Sequence, residues 1–421
     1  MAQLSKMGEE MVTQFLSRLP PKALMRFKCI RKSWYNLINS PSFVAQNLSN
    51  SMNNKFISST RIIAKHIIVK DNSITDKKDI VNIIMHGNDE EKQFLLSSLS
   101  LCDDPDGDDQ ELSCVIEDEL IIPSRLYQYC LCSRIVGHCD GIICLSGDGD
   151  TTVLCNPSIK EFDLVPKSCL LPDEDCSKTN SVGFGYDSKA KVYKVVNILS
   201  YCYSHLKAEV YELGTDCWRE IEFNVEIDEV LPEPGFDKYF KGVYYWNAFR
   251  KPLSEKETHR VWKDTLPYSG LPLEFVIVAF DMSNEVFYLI SQPEEDTFAI
   301  DRSLIVWKES LHLITYTYEG DAPKWFDIWQ NEDPDFLKGS WTKCFAINPI
   351  EAVIPLAFWK SNEILMGDAD GYIVSYNLDT RSLKCLPIHG AEKPRYIGAV
   401  EYVNSIISVN RANKIKYLNT S

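Results

Sequence analysis

YDSKAKVY (186–193) and FDMSNEVF (280–287) open on an aromatic residue, continue through an aspartate and small polar residues, and return to an aromatic residue seven positions on. CNPSIKEF (155–162), YELGTDCW (211–218) and YNLDTRSL (376–383) share the layout. Each reads as the end of one strand, a tight polar turn and the start of the next, with the first and last residues packed across a hairpin. Their uneven spacing suits a unit of about 25–30 residues with some copies degenerate. VGHCDGIICL (136–145) adds another hairpin, because Asp140-Gly141 between apolar flanks is a type I′ turn signal. Repeated antiparallel hairpins over residues 56–415 predict a β-propeller of four-stranded blades, with a pair of β-sandwiches as the alternative.

Residues 8–50 follow a different period. Met11, Val12, Phe15, Leu16 and Leu19 fall on one helical face, and Pro20-Pro21 stops that helix while Pro21 opens a second. Leu24, Phe27 and Ile30 share the next face. Trp34, Leu37 and Ile38 mark a third helix, which Ser40-Pro41 ends. Three short helices bury too little surface to stand alone, so this unit is expected to lean on a partner or on the next domain. The fold class is therefore α+β and multidomain: a small three-helix unit before a mainly-β domain. β-Branched runs at 62–63, 67–69 and 80–85 begin the β region.

The chain carries a formal charge of −16, yet residues 1–50 hold seven bases against Glu9 and Glu10, a net of +5 that leaves −21 for the remainder. MAQLSKMGEEMV lacks an apolar leader, and no run approaches the roughly 20 apolar residues of a membrane span, which predicts a cytoplasmic protein with reduced cysteines. Cys130, Cys132, His138, Cys139 and Cys144 are dense but lack the paired spacing of a zinc site. DDPDGDDQE (103–111) fails as a calcium loop: setting Gly107 at loop position 6 puts Cys102 and Ser113 at the two ends. Seven scattered histidines and the absence of nucleophile-elbow, phosphate-loop and dinucleotide motifs give no catalytic, metal or cofactor site. Gly183-Phe184-Gly185 reads as part of a strand.

The helical stretch LSRLPPKALMRFKCIRKSWYNLINSPSFVAQNL (16–48) closely resembles an F-box. The resemblance implies docking on an acidic Skp-type adaptor, which bridges to a cullin and its RING subunit. Met11, Phe15, Leu16, Pro20, Leu24, Phe27, Ile30 and Trp34 are the candidate adaptor contacts, with the basic residues aiding on-rate and register. One departure is that Lys6-Met7-Gly8-Glu9 stands where such helices usually open with a Leu-Pro pair, which implies weaker assembly. HCDGIICL (138–145), LCNPSIKEFDLVP (154–166), GFGYDSKAKVYKVV (183–196) and YIVSYNLDTRSLK (372–384) look like the plant F-box-associated domain, which implies a Kelch-like propeller. RFKCIRKSW, INSPSFVA, SCLLP (168–172) and NSIISVN (404–410) are most similar to S-locus F-box proteins of rosaceous type. That likeness implies a noncatalytic receptor in pollen that presents basic S-RNases for ubiquitination in gametophytic self-incompatibility.

An acidic body suits a basic protein substrate. The candidate contacts are Glu111, Glu117 and Asp118 in one segment and Glu226, Asp228, Glu229 and Glu233 in another, with solvated loops as the alternative reading. The basic segment is too narrow for a nucleic-acid surface, and Pro20-Pro21 breaks it too early for a membrane-lying helix. Two other functions remain open: a plant F-box receptor for an unrelated protein, and a propeller enzyme or small-ligand sensor, which a deep axial pocket with converging polar groups would favour.

Overall fold

The computed structural model describes residues 2–53 and 60–410, apart from 70–91, 104–111, 124–125, 127–133, 148–150, 169, 171–177, 202–204, 224–229, 233–236, 251–273, 294–300, 317–323, 351, 361, 369–371 and 390–397. Helices α1 (Ala2–Leu16), α2 (Pro21–Lys28), α3 (Lys32–Ile38) and α4 (Pro41–Asn53) form the N-terminal module. Pro21 occupies the first turn of α2, where its missing N–H costs nothing. The three-helix expectation falls short by one helix. Pro41 opens α4 instead of ending the structure, and the Ser40 hydroxyl accepts from the Phe43 N–H. The α1 helix also runs straight through Gly8. The α4 helix closes the module: Asn47, buried, donates its amide to the Ser17 carbonyl at 2.8 Å and the Leu19 carbonyl at 3.3 Å. These bonds satisfy carbonyls that the break at Pro20 leaves unpaired.

Six antiparallel sheets follow among the described residues, arranged as blades. Blade I holds β1 (Thr60–Val69), β2 (Lys92–Asp103) and β3 (Leu112–Ile121); the runs at 62–63 and 67–69 belong to one strand, and 80–85 lies outside the described residues. Blade II holds β4 (Arg134–Cys139), β5 (Ile142–Ser146), β6 (Thr152–Asn156) and β7 (Glu161–Leu164). Blade III holds β8 (Lys178–Asp187), β9 (Val192–Tyr201), β10 (His205–Glu212) and β11 (Trp218–Ile221). Blade IV splits its first strand into β12 (Val230–Pro232) and β13 (Lys238–Phe240), both paired with β14 (Val243–Arg250), then β15 (Phe275–Asp281) and β16 (Val286–Ser291). Blade V holds β17 (Asp301–Trp307), β18 (Ser310–Tyr316), β19 (Lys324–Asn331) and β20 (Trp341–Ile350). Blade VI holds β21 (Ala352–Lys360), β22 (Glu363–Asp368), β23 (Tyr372–Asn377) and β24 (Leu383–His389). The last strand, β25 (Gly398–Glu401), returns to pair with β1, so the two ends of the β region share blade I and close the ring.

The repeated eight-residue stretches are hairpins in every case. Cys155 and Phe162, Tyr186 and Tyr193, Tyr211 and Trp218, Phe280 and Phe287, and Tyr376 and Leu383 are direct cross-strand partners. The polar second residue has a specific task in four of them. The side chains of Asn156, Asp187, Asp281 and Asn377 accept the backbone N–H two residues on, at 2.8–3.0 Å, which folds the turn. In the same four turns the sixth residue is left-handed: Lys160, Lys191, Glu285 and Arg381 have φ of 57°, 58°, 55° and 58°. The repeat length differs from the expectation. Two of the stretches lie in blade III, so the unit is a whole four-stranded blade, with hairpins of this type recurring inside it.

Blades are joined by apolar clusters that each span neighbours. Ile63 and Leu96 of blade I meet Ile143 and Leu145 of blade II, and Ile62 and Leu99 meet Trp359 and Leu365 of blade VI. Ile305 and Ile314 of blade V meet Phe358 and Ile364, while Tyr245 and Ile277 of blade IV meet Leu304 and Leu313. Blades II, III and IV share one larger cluster around Phe184, Tyr244 and Trp246. The glycine of 183 is required there: a Cβ at that position would lie 2.5 Å from the Trp246 ring and 2.8 Å from Tyr244.

Candidate functional site

The helical module sits on one end of the propeller, held by the segment that follows β25. Residues 402–410 have no regular secondary structure and cross blade II. Asn156 donates to the carbonyls of Ser405 at 3.2 Å and Ile407 at 2.8 Å, and Glu161 accepts from the Ser408 hydroxyl at 2.6 Å and the Val409 N–H at 3.1 Å. Ile406 enters the module core with Leu16, Leu24, Ile38 and Phe43, while Ile407 packs on the propeller cluster. Ile159, in the turn after β6, packs against the same module core. Burial lowers the pKa of Lys28 at this joint, and the Glu161 carboxylate opposes that shift. The sequence reading did not assign this strap a mechanical role; adjacent isoleucines in a serine- and asparagine-rich stretch were the available signal.

The candidate adaptor residues divide by exposure. Met11, Phe15 and Ile30 are 69%, 63% and 59% exposed, unusual for apolar side chains of this size, and Pro20 is exposed as well. Phe27 and Trp34 are half-buried and meet edge to face at 5.4 Å, with the Arg31 guanidinium 4.7 Å over the Trp34 ring. Leu16 and Leu24 require correction: they are 1% and 0% exposed, fill the module core, and offer no surface to a partner. The basic side chains of Arg18, Lys22, Arg26, Arg31 and Lys32 lie at the surface.

Between module and propeller, at the propeller axis, lies a cavity of about 1090 Å³. The first strands of blades II, IV, V and VI and strand β25 contribute to its wall, and residues 17–21 and 50–53 of the module form its cover. Lys238, His138 and Glu401 line it. Burial, with the Lys238 ammonium adding to it, pushes the His138 imidazole down to about 3, so it is neutral. Burial also lowers the Lys238 pKa and raises that of Glu401, each opposed by the charge of the other. Cys139 and Cys144 are buried free thiols, and among the described residues no group of three His, Cys, Asp or Glu could hold a metal ion. Cys130 and Cys132 lie outside those residues.

With this geometry in hand, residues 90–412 match the family described as F-box associated beta propeller domain. The chain belongs to that family. Relatives of this F-box associated propeller include an F-box protein of Arabidopsis thaliana, 26% identical over 84% of this chain and 77% of its own length. Another is F-box protein CPR1 of the same plant, 23% identical over 97% of this chain and 91% of its own length. An Arabidopsis F-box/kelch-repeat protein is 28% identical over 68% of this chain and 65% of its own. Among solved structures, a microbial sialidase aligns over 83% of this chain and 88% of its own length at 10% identity, with a TM-score of 0.41. A likeness at that level says nothing about function.

In this F-box associated propeller the strands that flank the two acidic segments meet them at opposite ends of the ring. Glu111 and all of Glu226, Asp228, Glu229 and Glu233 lie outside the described residues. Glu117 and Asp118 lie in β3, where the ladder slips between Ser98 and Leu99. Asp103 and Leu112, which flank the first segment, pair at the end that bears the module, since the same ladder places Thr60 opposite Leu101 and Ile62 opposite Glu401. Val230, after the second segment, pairs with Arg250 at the other end. No helix among the described residues is long and apolar enough to cross a membrane.

Proposed function

We propose that the protein is the substrate-recognition subunit of a Skp–cullin–F-box ubiquitin ligase, a noncatalytic receptor whose helices hold the Skp-type adaptor and whose propeller holds the substrate. The observation that carries this reading is an F-box associated propeller with a helical module strapped to one end, its Met11, Phe15 and Ile30 left uncovered. Cullin and RING subunit join through the adaptor, and catalysis by proximity belongs to them. The module occupies one end of the ring, so the opposite end, where Ser146, Tyr201, Tyr316 and Asp368 finish their strands, is the substrate side. The finer reading is a basic S-RNase as substrate in pollen. It is supported by the −21 charge outside residues 1–50 and by the S-locus likeness of the sequence.

Immobilised Skp-type adaptor tests the first part. Met11→Asp combined with Phe15→Asp should weaken capture at least tenfold with an unchanged propeller melting temperature, since each apolar anchor contributes about 1.5–3 kcal/mol when covered. Unchanged capture would overturn the assignment of this face. Recovery of S-RNases from pollen extract, weakening as salt rises, tests the second part; recovery of an unrelated protein instead would favour a general receptor role.

A further inference from the structure

We infer that the axial cavity beneath the helical module is a binding site for a small organic anion with an apolar body. Its volume, about 1090 Å³, matches the upper range of small-molecule sites, and its wall is mixed in the manner of such sites. Tyr239, Phe240, Val306 and Phe358 supply apolar surface. Lys238 supplies a cation that has no direct hydrogen bond or ion pair among the described residues. A lysine in that position pays for its desolvation with only the longer-range attraction of Glu401 and Asp237, and an entering carboxylate or sulfonate would give it a direct partner.

Asp140 already accepts from the Tyr193 hydroxyl at 2.9 Å, and burial raises the pKa of Glu401, opposed by the Lys238 charge. His138, held neutral, adds a ring N–H donor without a repelling or attracting charge. Arg18 lies at the cover. Because Leu19, Pro20 and Asn50 of the module complete the wall, an occupant touches both the ligase-binding helices and the propeller. The inference concerns the isolated chain and stands or falls independently of which protein the propeller recognises.

The full chain, without adaptor, is titrated with 1-anilinonaphthalene-8-sulfonate, followed by its fluorescence. The expected result is one saturable site per chain, with affinity at least tenfold weaker in Lys238→Met and in the cavity-filling Val306→Trp. N-phenyl-1-naphthylamine, which has the same rings without the sulfonate, should bind at least tenfold more weakly to the unmodified chain. This last comparison needs no variant to fold. Non-saturable binding, equal affinity for the two probes, or affinity unchanged in correctly folded variants would each overturn the proposal and leave the cavity as a water-filled channel.

Discussion

Lys194 Nζ reaches three acceptors that belong to two blades: Asp187 at 2.7 Å in its own, and Glu285 at 2.8 Å and the Met282 carbonyl at 2.9 Å in the next. Burial opposes ionisation of Asp187, yet hydrogen bonds from Lys194, the Ala190 N–H and Ser283 hold its carboxyl down at about 2. Lys194 and Asp187 are 3% and 2% exposed, so removing the cation strands a buried carboxylate. Lys194→Met should cost about 3 kcal/mol in urea unfolding, whereas Arg219→Ala, which removes a half-exposed guanidinium from Glu285, should stay near the small effect of surface pairs. His138 makes a pH prediction. Its folded pKa lies below its unfolded one, so from about pH 6.5 down to 3 the unfolded chain takes up a proton that the folded chain refuses, and stability falls as pH falls. Between pH 7.5 and pH 5, His138→Gln should remove up to about 2 kcal/mol of that loss. Parallel pH slopes for variant and parent would refute the neutral imidazole.

At the level of hairpins and strands, two glycines separate packing from backbone strain. Gly183 faces Trp246 and Tyr244, both fully buried and both bonded to carbonyls of other blades: Trp246 Nε1 to Val182 at 3.4 Å and the Tyr244 hydroxyl to Val136 at 2.5 Å. These rings cannot retreat without breaking those bonds. Gly242 has a φ of +87° with open space around it. Gly183→Ala should therefore destabilise by about 2–3 kcal/mol and Gly242→Ala by about 1 kcal/mol, measured as shifts in denaturant midpoint. The reverse order would mean that turn geometry, rather than contact between blades, limits the ring.

The whole molecule depends on its C-terminal segment twice. Strand β25 closes the ring against β1, and residues 402–410 then strap the helical module down. Ile406→Asp removes the strap's apolar contact while leaving β25 paired. Hydrogen exchange of residues 21–28 should accelerate while the propeller melts at nearly its former temperature; unchanged protection would show that Ile159 and the cavity wall suffice to seat the module.

Hairpins were legible because their chemistry is local: an Asp or Asn that folds its own turn, as at 187 or 377, acts on N–H groups two and three residues away. The helical breaks at Pro20-Pro21 are equally local, and so the two fold classes could be read along the chain. Burial is not local. Met11 and Leu16 share one helical face in the sequence, yet one is exposed and the other sealed, because only the assembled module and the strap at Ile406 decide which part of that face is covered. Grouping of distant residues is the same kind of fact. Lys238, His138 and Glu401 come from strands in three blades and meet only when the ring closes, whereas the two acidic segments, alike in composition, adjoin strand ends at opposite ends of it.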